Sequence, residues 1–184
     1  PDPAWVKGIE LDWQTNFWYL PSIFKGLVLN VNYTHLSSEV TIPAFKVNEI
    51  PIEPRPRRPP FTTKVLVDTV TVSSMPDQPN DILNVTVGYD YKGFSGRVSF
   101  FYQVGSVIGR GAATFDDYDD TFVDDYFRVD VSLKQKMPWD LEVYVNLNNV
   151  NSEGDLRYQS PLYRYPTSKQ LYGFTMDAGL RYSF

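Results

Sequence analysis

The sequence lacks the residues on which several common kinds of protein site depend. It contains no cysteine and a single histidine, His35, which excludes disulfide scaffolds, thiolate metal sites and a transition-metal cluster. With one histidine, the serines have no plausible His and Asp partners for nucleophilic catalysis, and no glycine-rich phosphate loop is present. We therefore expect no enzyme activity and no bound cofactor or metal.

Two further absences narrow the class of protein. No apolar run approaches the roughly 20 residues that a transmembrane helix needs. The chain carries 22 acidic and 17 basic residues, a net charge of −5, so nucleic acid is not an expected partner. Because no signal peptide is visible after Pro1, we expect the chain to be a mature protein or a piece of one.

What the sequence has instead is a strict alternation of apolar and polar residues. The clearest example is the end of the chain, residues 172–184, where aromatic or aliphatic side chains occupy every even position. A period of two indicates a β-strand with two different faces, and this length suits a tilted strand that crosses a bilayer. Seven such segments are present: 9–17, 27–35, 83–91, 94–104, 127–134, 139–147 and 172–184.

The links between these segments alternate in length. The short links are 20–26, 92–93 and 136–138, and the long links are 38–80, 105–121 and 149–170. Outer-membrane barrels alternate in this way between short periplasmic turns and long external loops, and they carry aromatic girdles. The 13 Tyr, 12 Phe and 4 Trp suit such girdles. We therefore predict an all-β fold, an antiparallel transmembrane β-barrel with a periplasmic C-terminus.

The number of strands predicts a fragment. A closed bacterial barrel has an even number of strands, whereas seven strands that begin on the outside cannot close. We expect Phe184 to be the true end of the protein and Pro1 not to be its true beginning. Residues 64–72, rich in β-branched side chains, are either an eighth membrane strand or a β-extension outside the membrane, and we favour the extension.

Six short motifs, taken together and in order, resemble a known family. They lie at residues 8–11, 27–34, 75–90, 93–94, 144–150 and 179–184. The first is a G-x-E strand start, the fifth contains an N-L-x-N pattern, and the last is an aromatic terminal strand. Nearly the whole chain resembles the C-terminal third of a TonB-dependent receptor barrel, an active importer of the Gram-negative outer membrane.

The resemblance implies a 22-stranded barrel whose lumen holds an N-terminal plug domain. Residues 1–184 would be its C-terminal part, the last 7–8 strands, without the plug. The implied function is the import of a scarce nutrient, a siderophore, cobalamin or glycan. The implied partners are the rest of the barrel and the plug, TonB through the missing N-terminal region, the barrel assembly machinery, the lipid bilayer and lipopolysaccharide, and a surface lipoprotein.

Two sets of residues are candidates for function. Arginines on a proline-stiffened segment and tyrosines and arginine on the external loops suit ligand binding. These are Arg55, Arg57, Tyr118, Tyr158, Tyr163, Arg164 and Tyr165. The terminal strand suits recognition by the assembly machinery through edge pairing, and its signal residues are Phe174, Leu180, Tyr182 and Phe184. The acidic residues between 116 and 125 are expected to form a solvated loop.

Two alternatives remain open from the sequence. The first is a small stand-alone outer-membrane barrel of eight strands, porin-like or adhesive. The second is a soluble β-sandwich that acts as a binding module. A sandwich would place its apolar stripes in a core between two sheets, whereas a barrel would turn them toward lipid.

Overall fold

The computed structural model of the chain describes residues 4–51, 62–109, 120–159 and 164–183. Within these ranges the chain forms twelve strands and one short 3-10 turn, Ser22–Gly26. The strands are β1 Trp5–Asn16, β2 Leu27–Pro51, β3 Thr62–Ser73, β4 Asp81–Tyr91, β5 Phe94–Gln103, β6 Ser106–Gly109, β7 Thr121–Val123, β8 Tyr126–Lys136, β9 Leu141–Asn148, β10 Gly154–Gln159, β11 Tyr165–Leu171 and β12 Thr175–Tyr182. The described part of the chain has no helix with the length and apolar character needed to cross a membrane.

Seven strands form one antiparallel sheet, which we call the wall. Their order is β1, β2, β4, β5, β8, β9 and β12, and they are the seven segments that the alternation predicts. The prediction of an antiparallel all-β barrel fold is therefore confirmed, and the wall is a half-barrel. In the described residues β1 and β12 are the two ends of the wall and do not pair with each other, so the alternative of a closed stand-alone barrel is wrong.

The two faces of the wall have opposite character. A mostly apolar row of facing residues crosses all seven strands on one face. Its members are Thr15, Leu29, Val87, Val98, Val131, Leu147 and Met176. The neighbouring row on the opposite face is Asn16, Val28, Gly88, Arg97, Ser132, Asn146 and Asp177. Because each strand alternates, every wall strand contributes to both faces.

The wall has no second sheet stacked on its apolar face. No hydrophobic residue in the described ranges is buried, and Met176 and Leu180 are 63% and 70% exposed. A β-sandwich would bury these side chains between two sheets about 10 Å apart. The soluble sandwich alternative is therefore wrong, and the apolar face is left available to lipid.

Aromatic residues gather at both ends of the apolar face. At the end with short turns, the rings of Tyr91 and Phe94 lie 6.1 and 6.5 Å from that of Tyr89. The turns at this end also carry Trp18 and Trp139, which are 75% and 86% exposed. At the end with long links, the rings of Phe100 and Phe127 are stacked with centroids 6.4 Å apart. Rings at both ends of an apolar band are typical of the girdles that lie at membrane interfaces.

The short turns explain where two wall strands begin. Lys92 and Gly93 both adopt positive φ, 47° and 82°, as a tight type I′ hairpin requires. Trp139 and Asp140 also have positive φ, so β9 begins at Leu141, and the expected start at residue 139 is wrong. Gly173, with φ of 68°, likewise separates Tyr172 from β12, which begins at Thr175 rather than at residue 172. Phe184 lies outside the described residues.

The strand β2 is 25 residues long and extends beyond the wall. Its first part pairs with β1 and β4, whereas residues 40–51 pair with β3 over the whole length of β3. The strand β3 lies off the path of the wall. The prediction that residues 64–72 form a β-extension rather than an additional wall strand is therefore confirmed as a matter of topology.

Candidate functional site

The long links fold into a second sheet, which we call the loop sheet. It has the order β11, β10, β7, β6 and draws its strands from the links that follow β5 and β9. The β10–β11 hairpin pairs along both strands, and β7 joins it with Phe122 opposite Tyr158. These four strands are three to seven residues long and are not predicted from the sequence.

A stack of three side chains stands at the centre of the loop sheet. The rings of Phe122 and Tyr158 are parallel within 13°, with centroids 5.4 Å apart. The guanidinium carbon of Arg164 lies 4.6 Å from the centroid of Tyr158, within the range of a cation–π contact. Arg164 also donates a hydrogen bond to the carboxylate of Asp124. The stack therefore ties β7 and β10 to the start of β11.

The structure brings together two of the seven candidate ligand residues. Tyr158 and Arg164 are in contact, and Tyr165 follows at the start of β11, opposite Gln159 and 61% exposed. The other four candidates lie outside the described residues: Arg55, Arg57, Tyr118 and Tyr163. A ligand role for all seven stays a prediction.

Sequence reasoning missed two members of this group, Phe122 and Asp124. The strand β7 spans only Thr121–Val123, and three residues are too few for a period to be read. Asp124 belongs to the acidic stretch that was expected to form a solvated loop. Asp124 and Asp125 do lie in the loop between β7 and β8, and residues 116–119 lie outside the described residues. The loop contacts were not foreseen: Asp124 binds Arg164, and Asp125 accepts hydrogen bonds from the Tyr102 hydroxyl and the Gly105 backbone N–H.

Three tyrosine–aspartate pairs lie in the wall and the long links: one joins two wall strands, one joins the wall to a link, and one lies within a single link. The Tyr33 hydroxyl donates to Asp81, which also contacts the ring of His35 at 2.8 Å. The Tyr102 hydroxyl donates to Asp125, and the Tyr172 hydroxyl donates to Asp155 at 2.6 Å. The three hydrogen-bonding pairs are therefore Tyr33–Asp81, Tyr102–Asp125 and Tyr172–Asp155.

The Tyr172–Asp155 pair also shifts the pKa of its phenol. The hydrogen bond to Asp155, with desolvation and the charge of that carboxylate, raises the pKa of Tyr172 above its usual value. A phenol that donates to a carboxylate must keep its proton. Tyr172 therefore stays neutral and holds the end of β11 near the start of β10 across the neutral pH range.

The polar face of the wall is crossed by hydrogen bonds between strands. Ser132 donates to Asn146, whose amide donates to Asp177, so one chain of contacts spans β8, β9 and β12. Arg97 binds both carboxylate oxygens of Asp90 at 2.9 and 2.7 Å. Polar residues of the wall therefore pair across strands.

A glycine makes room for the arginine on this face. Gly88 lies opposite Arg97 in the register of β4 and β5. A Cβ at position 88 would lie 2.5 Å from the Arg97 side chain, which is shorter than any normal contact. The missing side chain therefore lets Arg97 lie across β4 and reach Asp90.

The N-L-x-N pattern has a structural explanation at the end of β9. Asn149 is 6% exposed, and its amide donates to the carbonyls of Glu153 and Gly173 while its oxygen accepts from the Glu153 N–H. Two residues later, the Asn151 side chain takes the place of a backbone partner along β8. It accepts a hydrogen bond from the Val129 backbone N–H and donates one to the Phe127 carbonyl. The turn is therefore fastened to the wall on both sides.

In the described residues no group of three or more His, Asp or Glu side chains is placed to hold a metal ion. The described residues form a wall with an apolar and a polar face, and a loop sheet with an aromatic and arginine stack.

Comparison with known proteins agrees with this geometry. Residues 2–150, well over half of the chain, match the family model described as TonB dependent receptor-like, beta-barrel. Searches of the curated proteins and of the solved structures give no match. The chain thus belongs to the TonB-dependent receptor β-barrel family, whose members are transporters of the bacterial outer membrane.

Proposed function

We propose that this chain is the C-terminal part of a 22-stranded importer that brings a scarce nutrient across the outer membrane. The observation that carries the proposal is the wall itself, a seven-stranded sheet with one exposed apolar face and one polar face, and no buried hydrophobic residue in the described ranges. Such a sheet is stable only with lipid on one side and a hydrated lumen on the other.

In this proposal the short turns face the periplasm and the long links face the outside. The loop sheet and the β2–β3 extension then stand on the external side, and the C-terminus is periplasmic. The polar face of the wall lines the lumen and meets the plug domain. TonB contacts a region that precedes this chain, so the chain itself supplies wall, lumen lining and external loops and carries no enzyme activity.

The nutrient is contacted by the external aromatic and arginine side chains. Tyr158 and Arg164 are already placed by Phe122 and Asp124, so little ordering entropy is lost when a ligand meets them. Tyr165 adds a ring that is 61% exposed. A siderophore, cobalamin or a glycan all offer groups that such side chains bind, and Arg55, Arg57, Tyr118 and Tyr163 complete the proposed set.

The terminal strand β12 carries the proposed signal for the barrel assembly machinery. Leu180 and Tyr182 share its apolar face and are 70% and 63% exposed, Phe174 directly precedes the strand and is 48% exposed, and Phe184 follows the same spacing in the sequence. In the described residues one edge of β12 pairs with β9 and the other is open. An open edge offers a row of unpaired backbone groups for pairing with another strand.

The test uses the full-length receptor in its own outer membrane. Uptake of three labelled probes is measured in cells with and without the receptor gene: a ferric hydroxamate, cyanocobalamin and a fluorescent malto-oligosaccharide. We expect one probe to accumulate only when both the receptor and an active TonB are present. Receptor-dependent uptake that persists without TonB would contradict active import and point to passive diffusion.

A second measurement tests the orientation separately. Lys92→Cys lies in a short turn, and Gly109→Cys lies in the loop sheet. A membrane-impermeant maleimide should label intact cells that carry Gly109→Cys and leave Lys92→Cys unlabelled until the outer membrane is opened. The reverse pattern would overturn the orientation while leaving transport untouched.

A further inference from the structure

The strand β3 has an edge that no other strand covers in the described residues. It pairs with β2 along its whole length and with no further strand. Its side chains are exposed, Leu66 by 63% and Val70 and Val72 by 60% each. A two-stranded hairpin is only marginally stable in water, and an open edge rich in β-branched residues readily pairs with another strand.

The sequence of this edge is symmetric about Leu66. Residues 63–69 read Thr-Lys-Val-Leu-Val-Asp-Thr, which is the same in both directions except for one pair of positions. At that pair the residues have opposite charge, Lys64 and Asp68. An antiparallel pairing of two identical strands about a two-fold axis places each residue opposite its mirror position. The sequence is therefore complementary to itself in that pairing.

We propose that β3 pairs edge to edge with β3 of a second copy of this protein, on a two-fold axis through Leu66. In this register Lys64 of each copy faces Asp68 of the other, Val65 faces Val67, and Thr63 faces Thr69. Opposite charges, β-branched pairs and threonine pairs directly across from one another all stabilise an antiparallel pair. The two hairpins become a four-stranded sheet, β2–β3–β3–β2, which exceeds the three strands that a sheet needs for stability in water. The two-fold axis is perpendicular to β3, and two receptors in one membrane are related by an axis along the membrane normal, so in this dimer the β2–β3 extension lies close to the plane of the membrane.

The charges of β3 are available for this contact. In the described residues Asp68 has no ion-pair partner, although it lies in register with β2. Lys64 approaches Glu49 of its own β2 at 3.7 Å, with both side chains more than half exposed. That contact is weak, and the ammonium group has three donors, so it can contact Glu49 on one side and Asp68 of the second copy on the other.

The register, rather than the apolar character alone, favours a second copy over an unrelated strand. An unrelated partner places no condition on the spacing of Lys64 and Asp68. A two-fold axis requires opposite charges at equal distance on each side of one residue, which is what the strand has. A slip by one residue would place Lys64 opposite Val67 and separate the charges.

The first experiment places one thiol on the axis of the full-length receptor in outer membranes. This chain has no cysteine, so Leu66→Cys introduces a thiol that in the proposed dimer lies directly opposite its own copy. Val70→Cys on the same strand is the matched control, because its two copies would lie eight residues apart, about 27 Å. We expect oxidation to give a covalent dimer with Leu66→Cys and little with Val70→Cys.

The outcome decides between occupants of this edge. Equal dimer formation by the two variants, or by neither, would overturn the proposal, as would a cross-link from residue 66 to another protein or to another segment of the same chain. Heat-modifiable gel mobility shows in each case whether the barrel has folded.

The second experiment exchanges the charges. Lys64→Asp and Asp68→Lys each place like charges opposite each other twice, and we expect each to weaken dimer formation about tenfold, as measured by light scattering in detergent. The double variant Lys64→Asp with Asp68→Lys restores both opposite pairs and should restore the dimer. A double variant as weak as the single variants would overturn the two-fold register, even if the protein still dimerises elsewhere.

Discussion

The wall and the loop sheet are both antiparallel, yet different interactions stabilise them. Wall strands are 8 to 25 residues long and pair in continuous register. Loop-sheet strands are three to seven residues long, with register shifts at Arg157/Tyr158 and Val107/Gly109. Backbone ladders and the contrast of two solvents stabilise the wall, whereas side-chain contacts hold the loop sheet.

This difference shows where a sequence pattern carries information. A strand between lipid and water must alternate at every position, because a slip of one residue would turn its apolar set to the wrong solvent. A strand that is surrounded by water on a loop is under no such condition. Stabilising contacts there fall on a few specific side chains, such as the Phe122–Tyr158–Arg164 stack. The two sheets should therefore respond differently to the same kind of substitution.

The largest expected effect separates the two faces of the wall. Val85 and Asn84 are neighbours near the middle of β4 and lie on opposite faces. Val85→Arg should destabilise the folded barrel by about 2–4 kcal/mol, the cost of a guanidinium at the bilayer midplane. Asn84→Arg, on the hydrated face, should cost little.

The measurement is urea unfolding of the full-length receptor in lipid vesicles, followed by tryptophan fluorescence. Similar unfolding midpoints for the two arginine variants would mean that the apolar row does not face lipid, and the contrast between the faces would fail.

The next effect lies where the wall meets the loop sheet. Asn149→Ala removes three hydrogen bonds to backbone groups of Glu153 and Gly173 and places alanine at a φ of 55°. We expect a loss of about 2 kcal/mol, since buried backbone groups lose their partners and alanine is strained in the left-handed region. Asn149→Gly adopts the same backbone conformation without strain, so it should be more stable than Asn149→Ala but still lack the three hydrogen bonds.

The control for this junction is Asn148→Ala. Asn148 is the exposed neighbour, with one long contact of 3.4 Å to Thr175. The change in the free energy of unfolding for Asn148→Ala should therefore be within experimental error. A similar loss of stability from Asn148→Ala and Asn149→Ala would show that the turn is not the point of attachment between the two regions.

How far the sequence predicts this structure follows from the same contrast. All seven wall strands, the short turn at Lys92–Gly93 and the β3 extension could be read from alternation, glycine and β-branched residues. The loop sheet could not, because β7 has three residues and its stabilising partners, Tyr158 and Arg164, lie more than 30 positions away. Of the candidate site, the sequence identified Tyr158 and Arg164 by residue type but missed Phe122 and Asp124.

A smaller effect should be confined to the loop sheet. Tyr158→Ala removes the ring between Phe122 and Arg164, contacts worth about 1 kcal/mol. We expect proteolysis of the loops between β5 and β8 to become about fivefold faster, while the unfolding midpoint of the wall stays unchanged. Arg157→Ala, which removes an exposed side chain from the adjacent position, should leave proteolysis at the wild-type rate.

If Tyr158→Ala lowered the unfolding midpoint of the wall as much as Asn149→Ala does, the two sheets would form one cooperative unit. The loops would then support the barrel, and the wall and the loop sheet would not be independently stabilised.

The smallest expected effect concerns an ion pair at the far end of the wall. Arg181 and Glu142 face each other on β12 and β9, with a nitrogen–oxygen distance of 3.4 Å, and the arginine side chain is 70% exposed. The Glu142 side chain is only 15% exposed, but the arginine end of the pair is open to water. Pairs that water screens in this way contribute about 0.5 kcal/mol or less, so Arg181→Gln should leave the unfolding midpoint almost unchanged. A weak dependence on salt is expected for the wild type and should be absent in the variant. A loss as large as that of Asn149→Ala would mean that this end of the wall lies in a low-dielectric contact, such as one with the plug, rather than in open water.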